Sequence, residues 1–527
     1  MIDRRSGTFT QCDAMKSDLT QTCQTWRNTM FVVSVSFLPL FVFWICVYVV
    51  WPWRYYDCFD PEGIHFAGGL SILHGHGPGN VDNPATPLQT LSALLCWGSG
   101  CGILDMEQFR GIAYAAVIVL RIAAACVLVR FVLRDLPLPL QITLLWLPWL
   151  APDFSMMSRQ WCPETMYFPM GVLAVVAIYH SLNDSSRWQC AFLAGLAIGA
   201  MIGVKFIFVA WAAAAFLTVV LTHRPAIAAR VCLALGAGHV TGFVLATLPA
   251  ITRYPRMFEW LLGLATKTGQ YGSGSSGFVN LELAGANLVE ILVHQKIWTS
   301  LVISTSIALL IRKPRTRISI FCVFALLGSY ALVLKQFAPR YLAPTGLILL
   351  LAVAELLRGL RFRSINWSGS CAAIVVGLLL GKSLAFDTFV HRVFVTDRQE
   401  SEKALNEFLA QKGRTSKSVI LYGWRAFVPS FTVRFMSRSE SPLFDAEVDA
   451  AFPHEGLFKS WPDELLYPPG MSDWDFIVVG EDYGTLIDAE GLKALRQKHQ
   501  SWIVTRYIVI KNTSSPELSI QNEAQSP

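Results

Sequence analysis

The sequence has little charge and no closely spaced cysteine pair. Of its 527 residues only 15% are charged, whereas 53% are hydrophobic. Soluble domains average about 25% charged residues, so this composition excludes a wholly soluble protein. The 12 cysteines include no CxxC pair, which argues against a zinc or redox site. The net charge of +6 lies in short basic clusters between apolar runs, and this pattern does not indicate a nucleic-acid partner.

Apolar runs near twenty residues recur through the first three quarters of the chain. A helix of about 20 apolar residues crosses the hydrocarbon core of a bilayer. No small-residue cleavage site follows the first run, so we interpret it as a retained span. The sequence predicts an all-α polytopic membrane protein with about eleven transmembrane helices. They cover residues 30–51, 111–134, 136–152, 164–182, 189–204, 206–222, 229–251, 288–311, 317–335, 340–357 and 368–387.

Basic clusters predict the orientation, since Lys and Arg are enriched in cytoplasmic loops. Four basic residues precede the first span, which indicates a cytoplasmic N-terminus in a plasma (inner) membrane protein. Four further basic clusters lie on the cytoplasmic side only if the short apolar stretch 88–104 lies at the membrane interface and does not cross the membrane. They are "RFVLRD", "THRPAIAAR", "RKPRTR" and "RGLRFR". Loops 52–110 and 252–287 then face outward.

The composition changes after residue 387. Residues 388–527 are polar and contain no cysteine. The segment 401–413 has the pattern of an amphipathic helix stopped by glycine. Three β-rich apolar runs follow at 418–424, 475–481 and 502–510. We therefore divide the chain into a transmembrane catalytic domain, 1–387, and an extracytoplasmic soluble α/β domain, 388–527, with a disordered tail.

Three carboxylates, Asp57, Asp60 and Glu62, follow the first span directly. Ionisable groups near the membrane are costly to bury and are commonly functional. Simpler roles exist for each: Asp60 before Pro61 suits a helix N-cap, Glu62 suits a first helical turn, and Asp57 suits a solvated loop. Further polar residues lie at predicted outer ends of spans or in outer loops: Asp82, Glu164, Lys205, Lys267, Tyr271, Lys335, Arg340 and Tyr341.

Three stretches carry a resemblance to a known family. They are "DPEGIHFAGGLSILHGHGPGNVDNPATPLQ" (60–89), the G-x-x-x-G-x-K pattern that ends at Lys205, and "KQFAPRYLAP" (335–344). Over roughly 50–350 the chain resembles the GT-C fold polytopic glycosyltransferases of family 39, such as protein O-mannosyltransferases and the aminoarabinose transferases of lipid A. Those enzymes carry an Asp, often Asp-Glu, after span one. Here Pro61 separates the two acids, and "NPATP" stands where the family has His-Pro-Pro.

The resemblance implies transfer of a sugar from a polyprenyl-phosphate donor to a glycan, lipid or protein acceptor on the outer face, with inversion. Asp60 is then the general base, with Asp57 and Glu62 as the other catalytic candidates. The donor phosphate would meet cations and a tyrosine, namely Lys205, Lys335, Arg340 and Tyr341. Substrate contacts would come from Asp82, Glu164, Lys267 and Tyr271. We predict no metal and no other cofactor.

A transporter or flippase of a lipid-linked or polar solute is the alternative function. Transporters place charges near the membrane midplane, commonly in two repeated halves, whereas here the charges follow one face and no repeat is visible. A structural protein with an outer binding domain would leave Lys205 unexplained. His65, His74 and His76 suggest a metal site. His74 and His76 lie two apart in a glycine-rich turn with no obvious third ligand, so we interpret this stretch as a polar loop.

Overall fold

The computed structural model describes most of the apolar part of the chain and a smaller share of the polar C-terminal part. The described residues are 7–50, 62–78, 80–81, 85–184, 187–268, 275–277, 280–312, 316–358, 365–411, 419–422, 444–451, 455–457, 476–479, 493, 496–497, 500–505 and 507–511.

Helices dominate the described part of the chain. They are α1 (Gly7–Ile45), α2 (Glu62–Leu73), α3 (Thr86–Ser99), α4 (Met106–Leu128), α5 (Leu138–Trp146), α6 (Phe154–Met157), α7 (Tyr167–Asn183), α8 (Trp188–Val204), α9 (Val209–Thr222), α10 (Pro225–Thr247), α11 (Tyr254–Thr266), α12 (Leu281–His294), α13 (Lys296–Ile311), α14 (Arg317–Lys335), α15 (Thr345–Arg358), α16 (Ile365–Gln411) and α17 (Asp445–Ala451). Short 3-10 turns precede α7, α9, α11 and α15, at Pro163–Met166, Phe206–Phe208, Leu248–Arg253 and Pro339–Leu342. Single π turns extend α1 and α4, at Cys46–Val50 and Val129–Leu133.

Seven helical stretches in the described residues are long and apolar enough to span a membrane. They are Cys23–Val50, Met106–Leu133, Pro163–Asn183, Pro225–Thr266, Arg317–Lys335, Pro339–Arg358 and Gly369–Gln411. Each overlaps one predicted span, which confirms a polytopic, largely helical membrane protein. The other four predicted spans, 136–152, 189–204, 206–222 and 288–311, fall on shorter apolar helices. The total of eleven therefore stays a prediction.

Two of the shorter predicted spans show why length alone is ambiguous. Helix α8 has 17 residues, which corresponds to roughly 26 Å along its axis, close to the thickness of a bilayer core. The predicted span 288–311 is divided between α12 and α13, which meet at Gln295. The predicted interfacial stretch 88–104 overlaps α3, a 14-residue helix followed by Gly100, whose backbone is left-handed, φ 70°.

Helices α8 and α10 pack through glycine. A Cβ atom added at Gly199 of α8 would lie 2.2 Å from the carbonyl oxygen of His239. One added at Gly242 of α10 would lie 2.0 Å from the carbonyl oxygen of Leu196. Small residues of this kind let the backbones of membrane helices approach closely. This contact holds the C-terminal end of α8, where Lys205 follows, in a defined place.

Arginines connect several helix ends at one end of the bundle. Arg312 after α13 donates to the carbonyl oxygen of Glu355, and Arg317 of α14 donates to that of Leu182 at 3.4 Å. Arg358, the last residue of α15, donates to the carbonyl oxygen of Val132 in the π turn after α4. We call this region, defined by Arg312, Arg317 and Arg358, the basic end. The described residues of the predicted clusters "RFVLRD", "RKPRTR" and "RGLRFR" thus meet there.

A mixed sheet follows α16. Its strands are β1 (Val419–Tyr422), β2 (Glu455–Leu457), β3 (Phe476–Val479), β4 (Ser501–Val504) and β5 (Tyr507–Lys511). The order is β2-β1-β3-β5-β4. The β1 strand pairs in parallel with β2 and β3, whereas β5 pairs antiparallel with β3 and β4. The run 502–510 thus forms two strands that turn at Thr505, which has φ 51°.

The predicted helix 401–413 is the last part of α16 and not a separate element. Helix α16 is continuous from the last predicted span through residue 387 to Gln411. The ring of Phe408 on this extension lies 5.3 Å from that of Trp502 in β4. The proposed domain boundary at 387 and the independence of 388–527 stay predictions, and the predicted disordered tail falls outside the described residues.

Candidate functional site

A buried ion pair lies where α7 begins and α8 ends. Lys205 follows α8 with an extended backbone, φ −157° and ψ 134°, and so separates α8 from the 3-10 turn that leads into α9. Its Nζ donates a hydrogen bond to Oε1 of Glu164, which lies in the 3-10 turn before α7. Lys205 is 6% exposed and Glu164 is 1% exposed. Two charges 41 positions apart in sequence are therefore joined inside the protein.

Burial makes this pair a single unit. Removing either charge from water costs several kcal/mol, and the loss of one partner of a buried pair typically costs about 3–5 kcal/mol. An apolar pair of similar volume would commonly be at least as stable. Stability alone therefore gives little reason for this buried pair, which makes its position a candidate functional site.

Arg340 and Tyr341 lie beside the pair, in the 3-10 turn before α15. Nζ of Lys205 lies 4.9 Å from the centre of the Tyr341 ring, and Cζ of Arg340 lies 5.7 Å from the same centre. Arg340 also interacts electrostatically with Glu164. We call the region defined by Glu164, Lys205, Arg340 and Tyr341 the site end. It lies opposite the basic end, because α7 and α15 each run from one to the other.

An apolar cavity of about 200 Å³ adjoins the site end. Its polar lining comes from Lys205, Lys335, Gln336 and Tyr341, and the rest is apolar: Phe206, Ile207, Trp260, Leu264, Ala265, Leu332 and Val333. Leu332 is 38% exposed, so the cavity reaches the surface of the bundle. This arrangement suits a ligand with an anionic head and an apolar chain.

Lys335 lines the cavity but also serves the end of a helix. Its Nζ donates to the carbonyl oxygens of Leu264 and Ala265, the second at 3.3 Å, in the last turn of α11. Cations near the C-terminus of a helix satisfy its unpaired carbonyls and the helix dipole. These contacts give Lys335 a structural role, and its predicted phosphate role stays a prediction.

His65, which the sequence analysis weighed only as a metal ligand in a polar loop, lies buried in a helix. It lies in α2, a 12-residue helix outside the seven candidate spans, and it is 2% exposed. Its Nδ1 lies 3.2 Å from Nε2 of Gln89 in α3. Burial lowers the pKa of His65 to about 3, while Glu164 raises that pKa and Lys205 lowers it. The imidazole is therefore neutral near pH 7.

Tyr167, the first residue of α7, also borders the pair. It is 1% exposed, and it interacts electrostatically with Glu164, Tyr341 and Arg340. Within the described residues its hydroxyl has no hydrogen-bond partner. A tyrosine in an apolar run is ordinarily part of a core, so no sequence signal distinguished it.

The structure does not describe the side chains of five predicted site residues. Asp57, Asp60, Asp82 and Tyr271 lie outside the described residues. Glu62 begins α2, and only its backbone is described. Their predicted roles remain untested.

Lys267 does not line the cavity. It is exposed and follows α11, with its backbone bridged to Ser276. His74 and His76 are exposed in the turn after α2. Within the described ranges, no group of three or more His, Cys, Asp and Glu side chains could hold a metal ion.

Arg121 is a further buried charge, and it was not among the predicted site residues. It lies in α4, is 0% exposed and donates to the carbonyl oxygen of Ser158 at 2.7 Å. Its Cζ lies 5.2 Å from the Trp44 ring and 5.4 Å from the Trp149 ring. The signal was the lone arginine in the apolar run "VIVLRIAAAC". Its contacts join α1, α4 and the segment after α5, away from the cavity lining.

Comparison with known proteins identifies the fold but no sequence family. No family model matches the chain, and no curated protein matches it. The crystal structure of ArnT from Cupriavidus metallidurans in the apo state is similar at TM-score 0.51 and 13% identity, over 86% of this chain and 93% of that one. The structure of the same protein bound to undecaprenyl phosphate gives TM-score 0.49 and 14% identity, over 92% and 98%. ArnT is an aminoarabinose transferase, a GT-C glycosyltransferase, and the present chain accordingly has a GT-C-like membrane fold.

Proposed function

We propose that this protein is a membrane glycosyltransferase that moves a sugar from a polyprenyl-phosphate donor to an acceptor on the outer face of the plasma (inner) membrane. One observation carries the proposal: the buried Lys205–Glu164 pair, flanked by Arg340 and Tyr341, lies at an apolar cavity. The GT-C-like fold supports it, and the ArnT crystallised with undecaprenyl phosphate supplies the lipid to test first.

Lys205 is the principal phosphate ligand in this proposal. An ammonium has three N–H donors, and Glu164 takes one of them. The other donors can point to phosphate oxygens, while Glu164 fixes the direction of the side chain. Arg340 adds a planar guanidinium near the same carboxylate, and such a group suits phosphate well.

The cavity would hold the first part of the lipid chain. Trp260, Leu264 and Leu332 provide apolar walls next to Lys205. An isoprenoid chain carries no hydrogen-bonding groups, so it binds best against walls that have no polar group in need of a partner. Lys335 and Tyr341 would then contact the phosphate from the rim of the cavity.

The reaction in this proposal is a single displacement. Asp60 accepts the proton of an acceptor hydroxyl, whose oxygen attacks the anomeric carbon as the bond from that carbon to the phosphate oxygen breaks. The lipid phosphate leaves with the electron pair, and the configuration inverts. Negative charge grows on the departing oxygen, so a cation at Lys205 stabilises the transition state more than the ground state. The scheme includes no metal or other cofactor.

The remaining predicted residues take secondary roles. Asp57 and Glu62 are the other candidates for the base, because they lie in the same segment of sequence as Asp60. Asp82, Lys267 and Tyr271 would contact sugar or acceptor. Glu164, first predicted as a substrate contact, is proposed to orient Lys205 because its carboxylate accepts from the ammonium. The acceptor is a glycan, a lipid or a protein.

Two measurements on the full chain test this function. Purified protein in lipid nanodiscs should bind undecaprenyl phosphate saturably, and Lys205→Met should weaken that binding. Cells with and without the protein should differ in one glycan outside the cytoplasm, with the matching lipid-linked sugar accumulating in its absence. A lipid-linked sugar that changes sides of the membrane without any glycan being modified would support a flippase and contradict the transferase.

A further inference from the structure

Hydrogen bonds to its neighbours determine which nitrogen of His65 carries the proton. The side-chain nitrogen of Gln89 lies 3.0 Å from the carbonyl oxygen of Asn80 and 3.2 Å from Nδ1 of His65. A carbonyl oxygen only accepts, so the amide group of Gln89 must turn its nitrogen toward Asn80. The same nitrogen then donates its second hydrogen to Nδ1 of His65. Since Nδ1 accepts, the proton of the neutral ring is on Nε2.

This Nε2–H lacks a partner among the described residues. His65 is 2% exposed, so water does not replace the missing acceptor freely. Leaving a buried donor without an acceptor is costly, and most such groups in folded proteins are satisfied. A site residue whose donor has no acceptor among the described residues favours an acceptor that arrives with a ligand.

The position of His65 narrows the choice of acceptor. The N–H of Ala85, directly before α3, donates to the carbonyl oxygen of Val204 at 3.1 Å, so the start of the helix that carries Gln89 lies beside Lys205. The His65 ring also interacts electrostatically with Glu164 and Lys205. The hydroxyl of Tyr167, near the same carboxylate, is likewise without a partner in the described part of the chain. The Nε2–H of His65, the hydroxyl of Tyr167 and the ammonium of Lys205 are three hydrogen-bond donors near the same carboxylate. Three such donors suit a phosphate group, which has several oxygens that accept hydrogen bonds.

We propose that the Nε2–H of His65 donates a hydrogen bond to a phosphate oxygen of the donor lipid, beside the ammonium of Lys205. The proposal rests on the proposed function and adds a ligand to its phosphate site. Gln89 is then a positioning residue, because it holds His65 in the tautomer that donates. A neutral donor here also adds affinity without placing a second charge beside the Lys205–Glu164 pair.

Two substitutions of similar polarity provide the sharpest test. In His65→Gln the amide nitrogen lies near the former place of Nε2, whereas in His65→Asn the shorter side chain brings the amide only to the place of Nδ1. Full-length protein in nanodiscs is titrated with undecaprenyl phosphate and followed by tryptophan fluorescence, since Trp260 lines the cavity. We expect His65→Asn to bind ~10- to 100-fold more weakly, the range for a hydrogen bond to a charged group, and His65→Gln to stay close to the native protein.

His239 supplies a matched control. It is also buried, and its Nδ1 donates to the carbonyl oxygen of Leu235 at 2.7 Å, which leaves Nε2 without a proton. His239→Gln should leave the affinity unchanged. Solid-state NMR with nitrogen-labelled histidine adds a direct readout: the signal that His65→Gln removes should be that of an Nε2–H tautomer, and undecaprenyl phosphate should shift it.

The possible outcomes separate the two proposals. Weak binding by His65→Asn with near-native binding by His65→Gln supports the hydrogen bond. Equal affinities of His65→Asn and the native protein overturn it and leave the proposed function in place. An Nδ1–H signal for His65, or one that the lipid does not shift, overturns it as well. Failure of the native protein to bind the lipid saturably contradicts the proposed function and this inference with it.

Discussion

The two ends of the helical bundle use positive charge in different ways. At the basic end, Arg312, Arg317 and Arg358 donate to main-chain carbonyls near the ends of other helices, and Arg358 also pairs with the carboxylate of Glu355 on its own helix at 3.4 Å. At the site end, Lys205 is paired with the side chain of Glu164, and both are almost fully buried.

What a cation contacts indicates whether its charge is structural or can bind a ligand. An arginine on a helix terminus satisfies carbonyls that the helix itself leaves free, and its charge is used by the protein. A lysine that is paired with a single carboxylate keeps further N–H donors that can bind a ligand. Lys335 lies at the rim of the cavity but contacts carbonyls of α11, so it combines features of both ends.

The largest expected effect concerns the side of the membrane on which each end lies. A reporter that is active only outside the cytoplasm should be active when fused after residue 387 and inactive when fused after Arg317, because basic clusters favour the cytoplasm. Reporter activity is measured in intact cells, with expression checked by blotting. Activity at both fusion points would overturn the predicted topology.

Loss of the proposed base should abolish most of the transfer while leaving the fold intact. In Asp60→Asn the side chain can still cap a helix but no longer accepts a proton. A general base typically contributes about 100- to 10,000-fold in rate, so turnover of lipid-linked sugar should fall by that factor. Asp57→Asn is the matched control and should have a milder effect. The reverse result would show that Asp57 is the base and that Asp60 serves as a cap.

Lys205 and Arg317 compare the two ends directly. Lys205→Met removes the cation that is hydrogen-bonded to the buried Glu164 and should destabilise the protein by about 3–5 kcal/mol. Arg317→Met loses a 3.4 Å hydrogen bond to a carbonyl and should cost about 1 kcal/mol. Both are measured by denaturant titration in detergent and by undecaprenyl phosphate binding, which Arg317→Met should leave unchanged.

A second variant separates stability from binding at the site end. Lys205→Met with Glu164→Gln removes both charges and should recover much of the lost stability. It should not recover affinity for undecaprenyl phosphate, because the ammonium is still missing. Native-like affinity in this double variant would show that Lys205 is a structural cation, like those of the basic end.

Substitutions at the close contact between α8 and α10 should destabilise the bundle more than any substitution at an exposed position of α10. In Gly242→Ala the new Cβ would lie 2.0 Å from the carbonyl oxygen of Leu196, so α8 and α10 must separate. We expect a loss of about 1–3 kcal/mol, as for other overpacked sites, seen as a lower Tm. Gly236→Ala is the control, since its Cβ would lie 3.6 Å from the ring of Phe216. Equal melting temperatures would contradict the observed helix contact.

Lys335 should give the smallest effect. Lys335→Met removes hydrogen bonds to the end of α11 and should cost about 0.5–1.5 kcal/mol. Its effect on undecaprenyl phosphate binding should be smaller than that of Lys205→Met, because the ammonium is already occupied by two carbonyls. Matching losses of affinity in the two variants would place Lys335 among the phosphate ligands on equal terms.

Prediction from sequence succeeded where composition alone sets the structure. The predicted span 317–335 coincides with α14, and the predicted span 340–357 lies within Pro339–Arg358. The prediction of a single span at 288–311 was less accurate, because this segment belongs to two helices. Tertiary contacts accompany the break at Gln295. One is the hydrogen bond from Trp298 Nε1 to Thr345 Oγ1 at 2.9 Å, and the pattern of apolar residues does not predict it.

The candidate site was predicted in part for a similar reason. Lys205, Arg340 and Tyr341 stand out because polar residues are rare in apolar surroundings, and the structure brings them together. Glu164 was assigned to substrate, and its pairing with Lys205 appears only in three dimensions. His65 lies in a segment rich in glycine and histidine, where its burial has no sequence signal.

The amino-acid sequence by itself determined that this protein is a helical membrane protein and which of its polar residues are unusual, because the cost of placing a polar group in hydrocarbon depends on the residue alone. Tertiary structure decided which charges meet. Glycine contacts between α8 and α10 and the extended backbone at Lys205 place its ammonium on Glu164, and the Gln89 amide sets the tautomer of His65. Such pairings join residues far apart in the chain, so they depend on packing geometry that composition does not contain.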